Sequence, residues 1–166
     1  LYRESLAKVP EKTQRFLRCT AVLDQLCAPL CDALLAEPGA QQQLRDMEAS
    51  NVFLVALDRR REWYRYHGLF QEFLLGELRR AEPDIVMKLH LRAADWYESN
   101  GSPAMAVEHL LNTTERDRSV QLVTVLALPT YQAGQMSTVQ RWVSALGDTV
   151  IEEYPPLAVL TSWVAA

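Results

Sequence analysis

Three cysteines, three histidines and one dense run of arginines are the side chains of this sequence best suited to chemistry. Cys19, Cys27 and Cys31 fall within 13 residues. Thiolates can hold zinc, but structural zinc sites use closely paired cysteines and a fourth ligand, and the nearest histidine is His67. Reduced core cysteines are therefore the expectation, since free Cys is among the most buried residue types. His67, His90 and His109 belong to different elements, and His90 and His109 read as helix-surface or packing residues. Arg59-Arg60-Arg61 reads as a solvated turn, with phosphate contact as the competing role. No GxxxxGKS/T phosphate loop is present; the lysines are Lys8, Lys12 and Lys88, and none follows a glycine. GxGxxG, HExxH and GxSxG are absent too. The carboxylates are scattered along helix faces without a pair placed for acid–base work. This sequence is expected to be no enzyme, with no catalytic residue, no metal ligand and no cofactor of its own.

The elements that would position these groups are mostly helices. Glu11 to Leu23 places Phe16, Leu17, Thr20, Ala21 and Leu23 near one face, with Pro10 at the start. Pro29 opens a second helix, Leu30 to Ala36, which Glu37-Pro38-Gly39 breaks. A third runs from about Ala40 to Ala49, with Leu44 and Met47 inward. The period then changes. Val52 to Leu57 is short, apolar and rich in β-formers; Asp58 to Glu62 is a polar turn; Trp63 to Tyr66 is strand-like again. This predicts a β-hairpin. A helix over about Gly68 to Arg80 is expected to turn Leu69, Phe70, Phe73, Leu74 and Leu78 inward. Three helices, a two-stranded wing and a further helix are the parts of a winged-helix domain, assigned to residues 1–81.

Beyond Pro83 only helix signals remain. Pro83 to Ser99 is one helix, ended by Asn100-Gly101 as a left-handed cap. Ser102-Pro103 restarts a helix with Ser as its cap and Pro in its first turn. Ala133-Gly134 repeats the role of Asn100-Gly101 after 33 residues; at that offset Leu89 falls on Leu122, Ala93 on Leu126, Ala106 on Val139 and Leu110 on Val143. A period near 34 with glycine between helices predicts tetratricopeptide-like helical hairpins over residues 82–166. Pro129 is expected to kink or end its helix. A third repeat opens at Pro156, with Leu157, Leu160 and Trp163 apolar. The fold class is thus mainly α, a winged helix followed by tetratricopeptide-like repeats.

Residues 1–80 hold 12 Lys/Arg against 11 Asp/Glu, and residues 81–166 hold 5 against 10. Neither half has the basic balance of a nucleic-acid-binding domain. The 49% apolar fraction excludes disorder, and no apolar run is long enough to span a membrane. The chain starts at Leu1 with no leader pattern, and both ends lie inside helical patterns. It is expected to be an excerpt of a longer, cytoplasmic protein.

Several segments carry a family resemblance. Asn51 to Asp58, followed by Glu62-Trp63-Tyr64-Arg65-Tyr66-His67-Gly68-Leu69-Phe70-Gln71-Glu72-Phe73-Leu74, resembles a signature of the MalT-like family. Cys27 to Leu34 resembles its second-helix segment. Leu89 to Tyr97, then Gly101, Ala106, Glu108 and His109, resembles its entry into helical repeats, and Gln140 to Leu146 a later repeat segment. The resemblance covers nearly the whole chain, in order. It implies membership of large ATP-dependent LuxR-type transcriptional regulators. Such proteins run from a nucleotide-binding domain through a winged helix and a helical superhelix to a C-terminal DNA-binding helix-turn-helix. It implies ATP or ADP in the full-length parent, bound outside this stretch.

The resemblance also implies one site residue. In the wider class, signal-transducing ATPases with numerous domains, a histidine opening a winged-helix helix touches the β-phosphate of ADP. Tyr66-His67-Gly68-Leu69 is similar to that motif, which makes His67 the candidate ADP phosphate sensor. Physically, an imidazole beside the free N–H groups of a helix N-terminus suits a phosphate oxygen. Gly68 stands where the motif has Asp, so the role of that Asp does not transfer. The competing role for His67 is a helix cap or a core hydrogen bond. The leading expectation is a regulatory segment coupling nucleotide state to the repeats. Its partners would be the nucleotide-binding domain of the same chain, a small-molecule inducer or regulatory protein, and a second copy on oligomerisation. DNA would be reached only through the absent C-terminal domain. The alternatives are direct DNA binding through Arg59 to Arg61 and a plain interaction scaffold.

Overall fold

The computed structural model describes residues 1–51 and 53–165. Val52, expected to open the first strand, lies outside the described residues. The elements in order are α1 (Tyr2–Ala7), α2 (Glu11–Thr20), α3 (Ala28–Leu35), α4 (Ala40–Ala49), β1 (Leu54–Ala56), β2 (Tyr64–Tyr66) and α5 (Gly68–Ala81). A 3-10 turn (Pro83–Ile85) leads to α6 (Val86–Ser99), α7 (Pro103–Leu110), α8 (Arg116–Gln132), α9 (Met136–Leu146), α10 (Asp148–Glu153) and α11 (Pro155–Val164). The chain is mainly helical, and β1 and β2 pair antiparallel, as the periodicity predicts.

Packing divides the chain into two compact units, Leu1–Ala93 and Ala94–Ala166. The sequence reading divides it ahead of α6, between residues 81 and 82; the packing division falls inside α6. The first turns of α6 belong with the first unit because Leu89 is buried and the Arg92 guanidinium donates to the Leu34 carbonyl at 2.9 Å.

In the first unit, α2, α3 and α4 precede the hairpin and α5. Phe16, Leu17, Leu30, Leu34, Leu44, Met47, Phe70, Leu74 and Leu78 form its buried interior. On α5 the buried positions are Phe70, Leu74 and Leu78, one helical ridge. Leu69 corrects the expectation of an inward side chain: it is 70% exposed. One residue is about 100° of rotation, so a stripe centred on Phe70, Leu74 and Leu78 turns Leu69 outward. In the hairpin Leu54 faces Tyr66, Val55 faces Arg65 and Ala56 faces Tyr64. Tyr64 and Tyr66 are buried while Arg65 between them is exposed, the alternation of a half-buried strand. The turn is organised by Asp58, whose carboxylate accepts from the Glu62 and Trp63 N–H groups at 2.9 and 3.3 Å.

Helix α2 ends at Thr20, earlier than its apolar pattern suggests. The chain after it is claimed by two other elements. Gln71 of α5 donates to the Ala21 and Leu23 carbonyls, both at 2.9 Å. Leu26 exchanges backbone hydrogen bonds with Tyr64, at 2.8 Å each way, so β2 has a bridge on its second edge. The Thr20 hydroxyl donates to the Phe16 carbonyl and bonds the Tyr66 hydroxyl, each at 2.7 Å, satisfying a phenol that is 4% exposed.

The second unit repeats one local geometry. Gly101 and Gly134 both adopt positive φ, +77° and +81°. After each, the next N–H bonds five residues back: Ser102 to the Tyr97 carbonyl at 2.9 Å and Gln135 to the Thr130 carbonyl at 3.1 Å. These are Schellman ends, 33 residues apart. Helix α7 packs on α8, α8 on α9, and α11 on both α8 and α9. Val107, Val120, Val123, Trp142, Val150 and Leu157 are buried together, with Ala127, Val139 and Val143 beside them. Helix α8 runs through Pro129 to Gln132. Pro129 sits in the last turn, where only the bond to the Val125 carbonyl is lost. Glu108 of α7 joins α9, accepting from the Trp142 indole at 2.9 Å and from Arg141. Arg118 of α8 binds Asp95 and Glu98 of α6 at 2.6 and 2.8 Å. Helix α11 buries Leu157 and exposes Val159 and Trp163. Among the described residues no helix is long and apolar enough to cross a membrane.

Candidate functional site

His67 is the N-cap of α5, and the local chain explains why. Residues Tyr64–Tyr66 are extended, with Tyr64 and Tyr66 buried on one side and Arg65 exposed on the other, and the helix begins at Gly68. His67 holds the corner with φ −57° and ψ 139°, donating its N–H to the Phe53 carbonyl at 2.9 Å. Its own carbonyl accepts from Gln71, also at 2.9 Å. The backbone is thus fixed on both sides while the side chain stays exposed. The imidazole makes no capping hydrogen bond to the helix, and its ring meets Phe53 edge-on with centroids 6.4 Å apart.

The corner rests on an aromatic base. Phe70 lies 5.0 Å from Phe53 and 5.9 Å from Tyr66, ring centre to centre, and Tyr2 of α1 lies 5.1 Å from Phe53. Phe70 is buried as expected, and Tyr64 and Tyr66 are buried beside it, whereas Phe73, also expected inward, is half-buried, as is Trp63. Above this base the first N–H groups of α5, beginning with Gly68, have no acceptor within the helix. Open space adjoins Gly68, where an added Cβ would meet nothing within 4 Å. Exposed Leu69 and Arg65 flank the corner. An exposed imidazole donor beside unpaired backbone donors can bind an anionic oxygen.

The other candidate groups lie apart from His67. Cys19, Cys27 and Cys31 are all buried and free, and burial pushes each thiol above its ordinary range. Among the described residues no cluster of His, Cys, Asp and Glu could hold a metal ion. His109 is a packing residue, stacked on Tyr97 with centroids 5.7 Å apart and rings 14° from parallel. Burial pushes its pKa down to about 4 against the opposing pull of Glu108. The arginine run is partly spent: Arg61 pairs with Glu48 at 3.2 Å, and Arg59 and Arg60 are exposed. On α4 the exposed Gln42 and Asp46 bond each other at 2.7 Å, and the face carries no basic stripe. A groove of about 360 Å³ between α2 and the start of α4 has an apolar floor at Phe16 and Leu35. Its rim, with Lys12, Arg15, Glu37 and Asp46, mixes both signs and does not include His67.

The family model for the MalT winged-helix domain matches residues 2–86. The chain belongs to the MalT winged-helix family. It is 26% identical over 165 residues to the HTH-type transcriptional regulator MalT of Vibrio parahaemolyticus, covering 99% of this chain and 18% of that protein. It is 27% identical over 164 residues to MalT of Klebsiella pneumoniae, again 99% and 18%. It is also 27% identical over 150 residues to the serine/threonine-protein kinase PknK of Mycobacterium tuberculosis, covering 90% of this chain and 14% of the kinase. The chain therefore spans less than a fifth of the length of these relatives. The MalT-type match takes in the hairpin, the His67 corner and α5.

Sequence reasoning reached His67 through the motif alone. Its freedom from helix capping had no signal in the sequence, because any polar residue ahead of a helix can cap it. The exposure of Leu69 beside it was masked by the two adjacent apolar runs Leu69-Phe70 and Phe73-Leu74-Leu75.

Proposed function

We propose that this chain is a regulatory segment of a larger ATP-dependent transcriptional regulator. In this reading the winged helix senses the nucleotide state of a separate nucleotide-binding domain and passes it to the helical repeats. The observation that carries the proposal is His67: an exposed imidazole at a helix N-terminus, held by its backbone and unused in capping. Its role is to donate to a phosphate oxygen of bound ADP together with the N–H groups at the start of α5. That contact holds a closed resting state, and loss of ADP frees the winged helix to move. In this reading nucleotide chemistry belongs to the nucleotide-binding domain of the parent.

The relatives support a position between sensing and output. Similar segments occur in proteins named as transcriptional regulators and in one named as a protein kinase. A segment common to different outputs fits a shared control step better than an output step. The recurring Schellman ends support a tetratricopeptide-like array, whose surfaces suit an effector, a regulatory protein or a second copy. Direct DNA contact is the weaker reading, since Arg61 is neutralised by Glu48 and α4 has no basic stripe. Regulation of transcription by such a protein would take place in the cytoplasm.

The test is His67→Ala in the full-length parent. Faster ADP release and weaker dependence on inducer are expected. Unchanged ADP retention with unchanged inducer dependence would sink the sensor role. A gel-shift titration of this chain at low salt checks the DNA reading, and salt-sensitive binding would reverse the preference.

A further inference from the structure

The groove between α2 and the start of α4, about 360 Å³, has no part in the nucleotide reading. Small-ligand sites run from about 300 to 1,000 Å³, so a groove at the lower end takes a small occupant. Its walls are two helical ridges. On α2, Lys12 stands one turn before Phe16; on α4, Gln42 stands one turn before Asp46. Phe16, buried, and Leu35, half-buried, supply the apolar floor.

Protein contacts alone hold the walls apart. The Thr13 hydroxyl of α2 donates to the Gln43 side-chain carbonyl of α4 at 3.3 Å. The Asp32 carboxylate accepts from the Ala40 N–H at 2.9 Å and so fixes the first turn of α4. A site formed in advance loses little ordering entropy when it is filled.

Two charges in the groove remain unspent. Glu11 is held by Arg18 at 3.2 Å, Asp32 by the Ala40 N–H, and Arg15 lies 3.9 Å from Glu37 and 3.8 Å from Glu82. Among the described residues Lys12 forms no ion pair, and the Asp46 carboxylate accepts only from the neutral Gln42 amide, at 2.7 Å. Lys12 and Asp46 line one groove, on opposite walls, without pairing with each other. A cation and an anion on facing walls above an apolar floor complement a ligand that carries both charges and an apolar body. A ligand with a carboxylate alone would meet Asp46 as a like charge, and a ligand with an amine alone would meet Lys12 as one.

We infer that this groove binds a free α-amino acid with an aliphatic side chain. Its carboxylate meets Lys12, its ammonium meets Asp46, and its side chain lies over Phe16 and Leu35. The inference stands apart from the nucleotide reading. Both charged contacts are open to water, so binding is weak, with a dissociation constant on the order of 1 mM.

A heteronuclear NMR titration of the 166-residue chain with L-leucine tests this. Saturable shifts are expected at the amides of Phe16, Leu35, Gly39 and Gln42. Isoamylamine, which lacks the carboxylate, and isocaproate, which lacks the ammonium, should each bind about two- to fivefold more weakly than L-leucine. K12Q and D46N replace exposed side chains and should leave the circular dichroism spectrum unchanged. Each should weaken L-leucine by about the same two- to fivefold, K12Q without weakening isoamylamine and D46N without weakening isocaproate. The inference is overturned if no saturable shift reaches the groove by about 20 mM L-leucine, a concentration well above the expected dissociation constant. Either analogue binding as tightly as L-leucine overturns it equally, as does L-leucine binding that is indifferent to K12Q or to D46N.

Discussion

Tyr66 and His109 are both large, polar and buried, and the two units hold them by different means. Tyr66 reaches a hydroxyl 46 residues away in sequence, on Thr20. His109 stacks on Tyr97, twelve residues back and one helical hairpin away. The contrast extends beyond these pairs. The first unit is knitted by distant bonds, such as Gln71 to Ala21 and Leu23, and Leu26 to Tyr64. The second is built from neighbours, with the same helix end recurring after 33 residues and Glu108 tying α7 to α9. Contacts of long sequence separation cost more loop-closure entropy and must form together. Neighbour contacts can be added one hairpin at a time. The first arrangement suits an element that responds as a whole, and the second suits an extendable surface.

The largest expected effect that separates the units is on pH. The folded pKa of His109 is about 4 and its ordinary value 6.5, so the unfolded chain binds the extra proton between those values. Stability from this group is complete above pH 6.5, falls as pH drops towards 4, and is level below that. The loss is roughly 3 kcal/mol. Urea denaturation at pH 7 and pH 4.5 should show it, and His109→Gln should remove most of the difference. Equal acid sensitivity in H109Q would place the acid-labile group elsewhere.

Next in size is the Thr20–Tyr66 bond. T20V leaves a buried phenol without its partner and should cost about 1–3 kcal/mol, whereas Y66F, which leaves the Thr20 hydroxyl donating to the Phe16 carbonyl, should cost about 1 kcal/mol. The double variant should cost much less than the two losses added. Additive losses in a denaturation cycle would mean that the long-range bond is not what joins α2 to the hairpin.

G101A and G134A sharpen the repeat. Each places a side chain at positive φ, where the left-handed backbone costs about 1–2 kcal/mol. Neither meets a steric neighbour, so the two losses should agree within about 0.5 kcal/mol. Unequal losses by thermal unfolding would show that the two helix ends are alike in geometry only. The smallest effect belongs to His67→Ala. An exposed side chain that caps nothing should change stability by less than about 0.5 kcal/mol. A larger loss would return His67 to a structural role.

Much of this organisation was legible from single residues. Gly101 and Gly134 announced helix ends because only glycine takes positive φ without strain. The change from helical spacing to two short runs of β-formers around a polar turn announced the hairpin, and a strand's period of two is what buries Tyr64 and Tyr66 around exposed Arg65. Leu69 was placed wrongly because adjacent apolar residues blur the centre of a helical stripe. Helix α2 ends earlier than its apolar spacing suggests because the Gln71 amide that claims the Ala21 and Leu23 carbonyls just beyond it lies some 50 residues away.

The sequence by itself determined most of the elements and their order, since propensity, glycine geometry and periodicity act between near neighbours, and its motifs carried the family resemblance. It also placed His67 ahead of a helix. Only the tertiary structure decided that this imidazole stays exposed and caps nothing. It likewise decided that Tyr66 finds Thr20, and that Lys12 and Asp46 line one groove without pairing. Each of these depends on what packs opposite a residue, and a local pattern cannot specify the far side of a contact.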